Sequence, residues 1–314
     1  MNWPSMEQAK ESNMTRQTTM KNITEGVAGL NRLAAKLGDR APEKNDQGFS
    51  NQIFLGERFV YKCHKTSGQV PTAKQKKEAL VLRHLAQCLD SSMRPLVPEL
   101  IHEEQVSEEY HVVVQQRLTG CPPERLDQTL AESLGRFLSV LHTIPQDHWM
   151  DEFEGEEHRQ TFRSYLFDKP LRFAEKLNRS ESVDTSDREL IRQAVAAITF
   201  AAQGLSDSVP LVLNHKDLFE RNLLQHRGRL TGIIDWDAAQ TAPREWEFAI
   251  LRQRIPQFWD AAHRCYGTPI DPLIMDCCAL AQSLRFWKSF PHHADFANVQ
   301  RCHIRDILRT FDKF

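Results

Sequence analysis

Residues 211 to 239 read LVLNHKDLFERNLLQHRGRLTGIIDWDAA. The stretch opens with an apolar run, Leu211 to Asn214, crosses a polar segment, His215 to Arg221, and enters a second short strand-like run from Asn222 to Gln225. His226-Arg-Gly228-Arg is a turn signal, and the apolar, β-rich run Leu230 to Ile234 ends at Asp235. A loop and hairpin follow from this pattern, with Asp217 and Asn222 near one end and Asp235 closing the second strand at the same end. Asp and Asn are common in turns because their side chains bond nearby backbone. One of them alone would mean little; the ordered set means more.

The set suits phosphoryl transfer. A phosphoryl group in flight carries dispersed negative charge, so catalysis is mostly positioning and Mg²⁺ neutralisation, with one carboxylate receiving the proton of the acceptor hydroxyl. Mg²⁺ prefers oxygen ligands and keeps several waters, so one carboxylate and one amide oxygen, completed by phosphates, suffice. Asp217 is the candidate base, and Asn222 and Asp235 are the candidate metal ligands.

His215-Lys216-Asp217, Asn222 and Ile234-Asp235-Trp236 resemble the H-G-D-x-x-x-x-N and I-D-[WFL] elements of the aminoglycoside phosphotransferase and choline kinase group, within the protein-kinase-like fold. Asp217 to Asn222 is five positions and Asn222 to Asp235 thirteen, the separations of base, Asn and metal Asp in protein kinases. Two departures stand out. Lys216 occupies a position where the family has Gly, and its ammonium is expected in solvent rather than on a phosphate. Trp236 replaces Phe-Gly, and no Ala-Pro-Glu follows, which favours a small-molecule kinase over a protein kinase. The motif His is expected to hydrogen-bond the catalytic segment as scaffold, so His215 is assigned a structural role.

The resemblance implies an α+β, two-lobed architecture: a small antiparallel-sheet lobe over residues 23–117, and a mostly helical lobe over 118–314. An amino-terminal phosphate-covering loop is expected at Gly48, Ser50 and Asn51, in a G-x-x-N form. Gly56-Glu57 would turn a hairpin whose return strand, Arg58 to Cys63, carries Lys62 to the phosphates. Residues Thr72 to Leu89 space Ala79, Leu82, Leu85, Ala86 and Leu89 as a one-sided helix, on which Glu78 would pair with Lys62. Val97 to Glu104 and Tyr110 to Gln116 would complete the sheet. Arg117-Leu-Thr-Gly120-Cys-Pro-Pro reads as a hinge, and backbone from Gln115 to Leu118, Gln116 and Leu118 above all, would meet the purine of ATP or GTP. Neither a G-x-G-x-x-G nor a Walker-type loop is present.

Further helices are expected at Leu130 to His142, Glu189 to Ala202, Pro272 to Phe290 and Asn298 to Phe311, with a lead-in helix at Ile23 to Leu37. His142 would pack or cap. At 314 residues the chain is long enough for two lobes; the resemblance spans roughly residues 45 to 290, and residues 1 to 22, polar and without apolar periodicity, are expected to start disordered. The chain shows neither a membrane-length apolar run nor a signal-peptide core, so a cytoplasmic protein without membrane partners is expected. Seven cysteines without C-x-x-C suit reduced, buried thiols, and a net charge of −2 gives no reason to expect nucleic acid.

The acceptor is expected to be a small hydroxyl-bearing molecule. Asp147 to Glu157, DHWMDEFEGEE, would suit a cationic, aminoglycoside-like one if it lines the acceptor pocket, though an acid-rich loop can equally stay wet. Tyr165, Phe167, Glu245, Trp246 and Glu247 are further pocket candidates. A choline, homoserine or sugar kinase, a protein kinase and a nucleotide-binding pseudoenzyme remain as alternatives.

Overall fold

The computed structural model describes residues 26–45, 51–64, 73–106, 111–145, 166, 168–205 and 209–311. The chain falls into two compact units, Met1–Gly120 with Thr231–Asp237, and Cys121–Leu230 with Ala238–Phe314.

The first unit is built on a five-stranded antiparallel sheet. Its strands are β1 (Glu43–Asn45), β2 (Asn51–Leu55), β3 (Phe59–His64), β4 (Leu100–Gln105) and β5 (His111–Gln116), in the order β1-β2-β3-β5-β4. Alternation sorts β3: Tyr61 and Cys63 join a buried cluster with Phe54, Phe59, Val112 and Val114, into which helix α1 (26–36) sends Leu30, Leu33 and Ala34. Lys62 therefore faces the other side. There α2 (Ala73–Cys88) packs on β4 and β5 and buries Ala79, Val81, Leu82 and Leu85. Asp39 pins the β2–β3 turn: its Oδ1 accepts the backbone N–H of Glu57 (3.1 Å) and Arg58 (3.0 Å), and its Oδ2 accepts the Tyr61 hydroxyl (3.1 Å).

The second unit is mostly helical, with α3 (Gln128–Leu141), α4 (Lys169–Asn178), α5 (Thr185–Gln203), α6 (Glu245–Arg254), α7 (Trp259–Tyr266), α8 (Pro272–Ser289) and α9 (Ala294–Phe311). α8 is its hub, packed by α4, α5, α6 and α9 and buried around most of its circumference. Burial on every side demands that its polar groups find partners. Asp276 meets Arg252 of α6 and Thr310 of α9, and Gln282 donates to the Trp246 carbonyl at 2.6 Å. Arg301 of α9 grips Asp187 of α5 through two 2.7 Å hydrogen bonds. β6 (Leu211–Asn214) pairs antiparallel with β9 (Gln240–Pro243), and β7 (Leu223–His226) with β8 (Arg229–Ile233).

The α+β class and the helices expected from periodicity are present, with ends displaced by a few residues. Asn222 lies not in a strand but in a 3₁₀ turn, Glu220–Asn222, ahead of β7. β1, β9, α4, α6 and α7 had no counterpart among the expected elements: α6 is apolar on more than one side, whereas α4 and α7 are one-sided, burying Pro170, Ala174 and Leu177 and Ala261, Ala262 and Tyr266, but short. His142 does cap and pack: it follows α3, its Nδ1 lies 3.0 Å from the Tyr266 hydroxyl, and burial together with Arg244 lowers its pKa to about 3. The cysteines are all free, but Cys88, Cys121 and Cys302 are exposed, so the expectation of buried thiols holds for Cys63, Cys277 and Cys278 alone. Among the described residues no helix is long and apolar enough to cross a membrane.

α3 and α7 touch at Gly135, where a Cβ would land on the carbonyl oxygen of Ala262. Backbone cannot yield as a side-chain tip can. Gly135→Ala should therefore lower stability by about 1–3 kcal/mol, the usual cost of overpacking, seen as a fall in melting temperature by calorimetry.

Candidate active site

In the first unit, Lys62 is 5 % exposed and its ammonium bridges two carboxylates, Glu78 Oε1 at 2.7 Å and Asp235 Oδ1 at 2.8 Å. Glu78, on α2, also accepts the backbone N–H of Trp236 at 3.2 Å, so one carboxylate fixes both the lysine and the segment that carries Asp235. Burial opposes the charge on Lys62, but attraction from Glu78, then Asp235 and Asp237, prevails and raises its pKa. Burial raises Glu78 as well, with Asp235 and Asp237 acting against Lys62. Three carboxylates around one ammonium leave an excess of negative charge, which suits a cation. Asp237 had escaped the sequence reading, although its spacing from Asp235 in Ile-Asp-Trp-Asp was visible. Trp236 is wholly buried and donates through Nε1 to Ile233 O at 2.9 Å.

In the second unit, β6 delivers the His215 loop. Asn214 ties β6 to β9 by donating to Val212 O and Ala242 O, both at 3.0 Å. The two amides that follow, His215 N–H (3.0 Å) and Lys216 N–H (2.7 Å), donate to the carboxylate of Glu247 on α6. The fully buried His215 accepts the Asp217 N–H at Nδ1 (3.3 Å), which agrees with a scaffold role. Asn222 Nδ2 donates to both Asp217 O (2.7 Å) and Asp217 Oδ2 (2.8 Å). Two acceptors fix the orientation of that amide, so its Oδ1 turns away from Asp217 and is the atom left to a metal. Arg221, four residues on, pairs with Asp217 Oδ2 at 3.1 Å.

The expectation that the Lys216 ammonium points into solvent fails. Lys216 is 6 % exposed; its Nζ donates to Gln240 at 3.0 Å and lies 4.8 Å from the centre of the Trp246 ring. The reason begins in the backbone. Lys216 has φ of +67°, the left-handed region where a Cβ costs roughly 1–2 kcal/mol and Gly costs nothing. The family's Gly suits that turn, whereas here Lys adopts it and its side chain is turned inward, against a π face that partly offsets desolvation.

Of the pocket candidates, Trp246 and Glu247 are buried in the interior, Glu245 is 4 % exposed, and none of the three lines an open acceptor surface. Tyr165, Phe167 and the acidic run from Asp147 to Glu157 fall outside the described residues, as do Gly48 and Ser50. Asn51 begins β2 opposite His64. The Gln116 amide is given to Glu99 O (2.8 Å) and that of Arg117 to Arg58 O (2.9 Å), so neither N–H is left to a ligand. Among the described residues the Leu118 amide has no such backbone partner.

The sequence profile of the phosphotransferase enzyme family (APH) matches residues 43–264. The chain belongs to this family. Solved structures agree in fold. Aminoglycoside phosphotransferase APH(4)-Ia superposes with a TM-score of 0.66 at 14% identity, covering 90% of this chain and 98% of that one. The GDP complex of aminoglycoside 2'-phosphotransferase-IIIa gives 0.68 at 16%, covering 90% and 97%. The gentamicin complex of APH(2")-IIa gives 0.65 at 17%, covering 88% and 94%. No curated protein gives a match. As a phosphotransferase of this family, the protein is a nucleotide-binding small-molecule kinase with the protein-kinase-like fold.

In this phosphotransferase the Glu247 carboxyl is pushed up from 4.5 to about 7, chiefly by burial and against the two amides and the Lys216 charge. The folded protein thus keeps a proton that the unfolded chain gives up near pH 4.5. Stability from this group is present below that value and is lost as pH rises through about 7. Glu247→Gln should remove that slope while leaving one loop amide facing an NH₂ group, at about 1–3 kcal/mol. Thermal melts of both proteins from pH 5 to 8 should show the gap narrowing as pH rises; a constant gap would refute the buried proton.

Proposed function

We propose that the protein moves the γ-phosphoryl group of ATP or GTP to a hydroxyl of a small molecule. The observation that carries this reading is the buried Lys62 ammonium held between Glu78 and Asp235, an arrangement suited to gripping nucleotide phosphates. The Leu118 amide is the donor offered to the purine, and the amino-terminal loop with Gly48, Ser50 and Asn51 would cover the phosphates.

Asp217 is the proposed base. Asn222 fixes it through Oδ2, so the carboxylate is aimed before the acceptor arrives and little reorganisation is needed at reaction. The acceptor oxygen attacks the γ-phosphorus, the bond to the β-phosphate bridging oxygen breaks, the nucleoside diphosphate leaves, and the hydroxyl proton passes to Asp217. Asn222 Oδ1 and an Asp235 oxygen are the proposed Mg²⁺ ligands, a hard-oxygen donor set that suits this ion. Mg²⁺, when bound, neutralises charge developing on the phosphates. Free cysteines suit the cytoplasm.

The acceptor class rests on less. A cationic, antibiotic-like acceptor follows from the family and from neighbours whose names include hygromycin B and gentamicin; a metabolic alcohol such as choline, homoserine or a sugar is the second reading. A panel of such acceptors, with nucleotide consumption as readout, separates them. Base assistance is worth about 10² to 10⁴ in rate, so Asp217→Asn should lose turnover by that factor while MgATP still raises its melting temperature. Undiminished turnover in the variant rejects the assignment.

A further inference from the structure

The side chains beside Asp217 are not those that a polycation would choose. Arg221 pairs with the Asp217 carboxylate, and its guanidinium lies 4.9 Å from the centre of the Phe219 ring. Phe219 meets Phe286 of α8 edge-on, with ring centres 5.9 Å apart. Phe286 carries the guanidinium of Arg285 at 5.5 Å and continues to Phe296 at 6.4 Å. One turn along the same helix Lys288 sits 5.4 Å from the Phe173 ring of α4. Aromatic rings and cations thus lead from the proposed base to Phe286 and Phe296, with a second cation–ring pair one turn further along α8.

These cations are under-compensated. Among the described residues, buried Arg285 Nη1 has no acceptor, and neither Arg285 nor Lys288 has a carboxylate partner. Burial, together with the neighbouring Lys176 and Arg285, lowers the Lys288 pKa, as expected where like charges crowd. A helix C-terminus favours a basic residue, which accounts for Lys288 alone but not for an orphaned guanidinium over a ring. Buried unsatisfied donors call for an acceptor group.

Resting on the assignment of Asp217 as base, but in place of the cationic acceptor that the family suggests, we propose that the phosphoryl acceptor is a hydroxylated molecule with a flat or apolar body and an anionic group. The body lies on the partly exposed Phe286, which buried Phe219 backs edge-on, Arg285 and Lys288 hold the anion, and the hydroxyl reaches Asp217 past Arg221. A polycationic aminoglycoside would meet like charge there, and like-charge juxtaposition is strongly disfavoured.

Three isosteric alcohols test this with the full chain: 4-(hydroxymethyl)benzoate, its primary amide, and 4-(aminomethyl)benzyl alcohol. Calorimetric titration in the presence of MgADP should show the carboxylate binding at least about tenfold more tightly than the amide, and the ammonium compound most weakly; tenfold is about 1.4 kcal/mol. Arg285→Ala and Lys288→Ala should each shrink that preference while leaving the affinity of the amide in place, which a general folding defect would not do. Equal affinities, preference for the ammonium compound, no binding of the carboxylate, or an undiminished preference in both variants overturns the proposal. Because binding is read, Asp217→Asn should keep the preference, so failure of the acceptor assignment is distinct from failure of the catalytic one.

Discussion

A single buried carboxylate decides where the catalytic motif points. Glu247 takes the backbone amides of His215 and Lys216, which β6 can no longer satisfy once the chain leaves its pairing with β9. With those two donors fixed, Lys216 is held in the left-handed region, and the chain reverses so that His215 can accept the Asp217 amide. Removing Glu247 would leave two buried donors without partners and a strained residue without restraint. The position of Asp217 is thus set by a helix lying beyond the hairpin in the sequence. Local preference in the motif would not achieve it.

Unit 1 solves a parallel problem with charge. Taking an ammonium out of water is costly, and a buried pair gains stability only when the remaining hydrogen-bonding capacity is met. Glu78 meets it by accepting from Lys62 and Trp236 together, and Asp235 supplies a second contact while staying partly exposed. The cluster is therefore rigid toward α2 and open toward solvent, which suits a group that must grip a ligand and then release it.

Much of this was legible in the residues. The Lys62–Glu78 pair was legible through the resemblance, whose strand lysine and helix glutamate fall on a strand and a helix that the local pattern supplies; alone, a Glu beside Lys76 and Lys77 reads equally as a solvated helix face. Asp217 and Asn222 were legible because they lie five positions apart on a loop that closes on itself. Less local features escaped. Nothing in a lysine's identity announces a positive φ, so the inward turn of Lys216 was hidden. Glu247 looked like one acid in Glu-Trp-Glu, since its two partners are 31 and 32 residues away. Asp237 is less conspicuous than the more familiar Asp235 two positions before it.

Residues Thr231–Asp237 belong with the unit made by the first part of the chain, though they follow 110 residues of the other. Lys62 and Asp235 are 173 positions apart. During vectorial synthesis the lysine therefore emerges with Glu78 and waits for Asp235 until much of the helical unit has been made. The amino-terminal sheet reaches its final electrostatic state late in translation, and neither unit corresponds to a fragment that a single cut could excise intact.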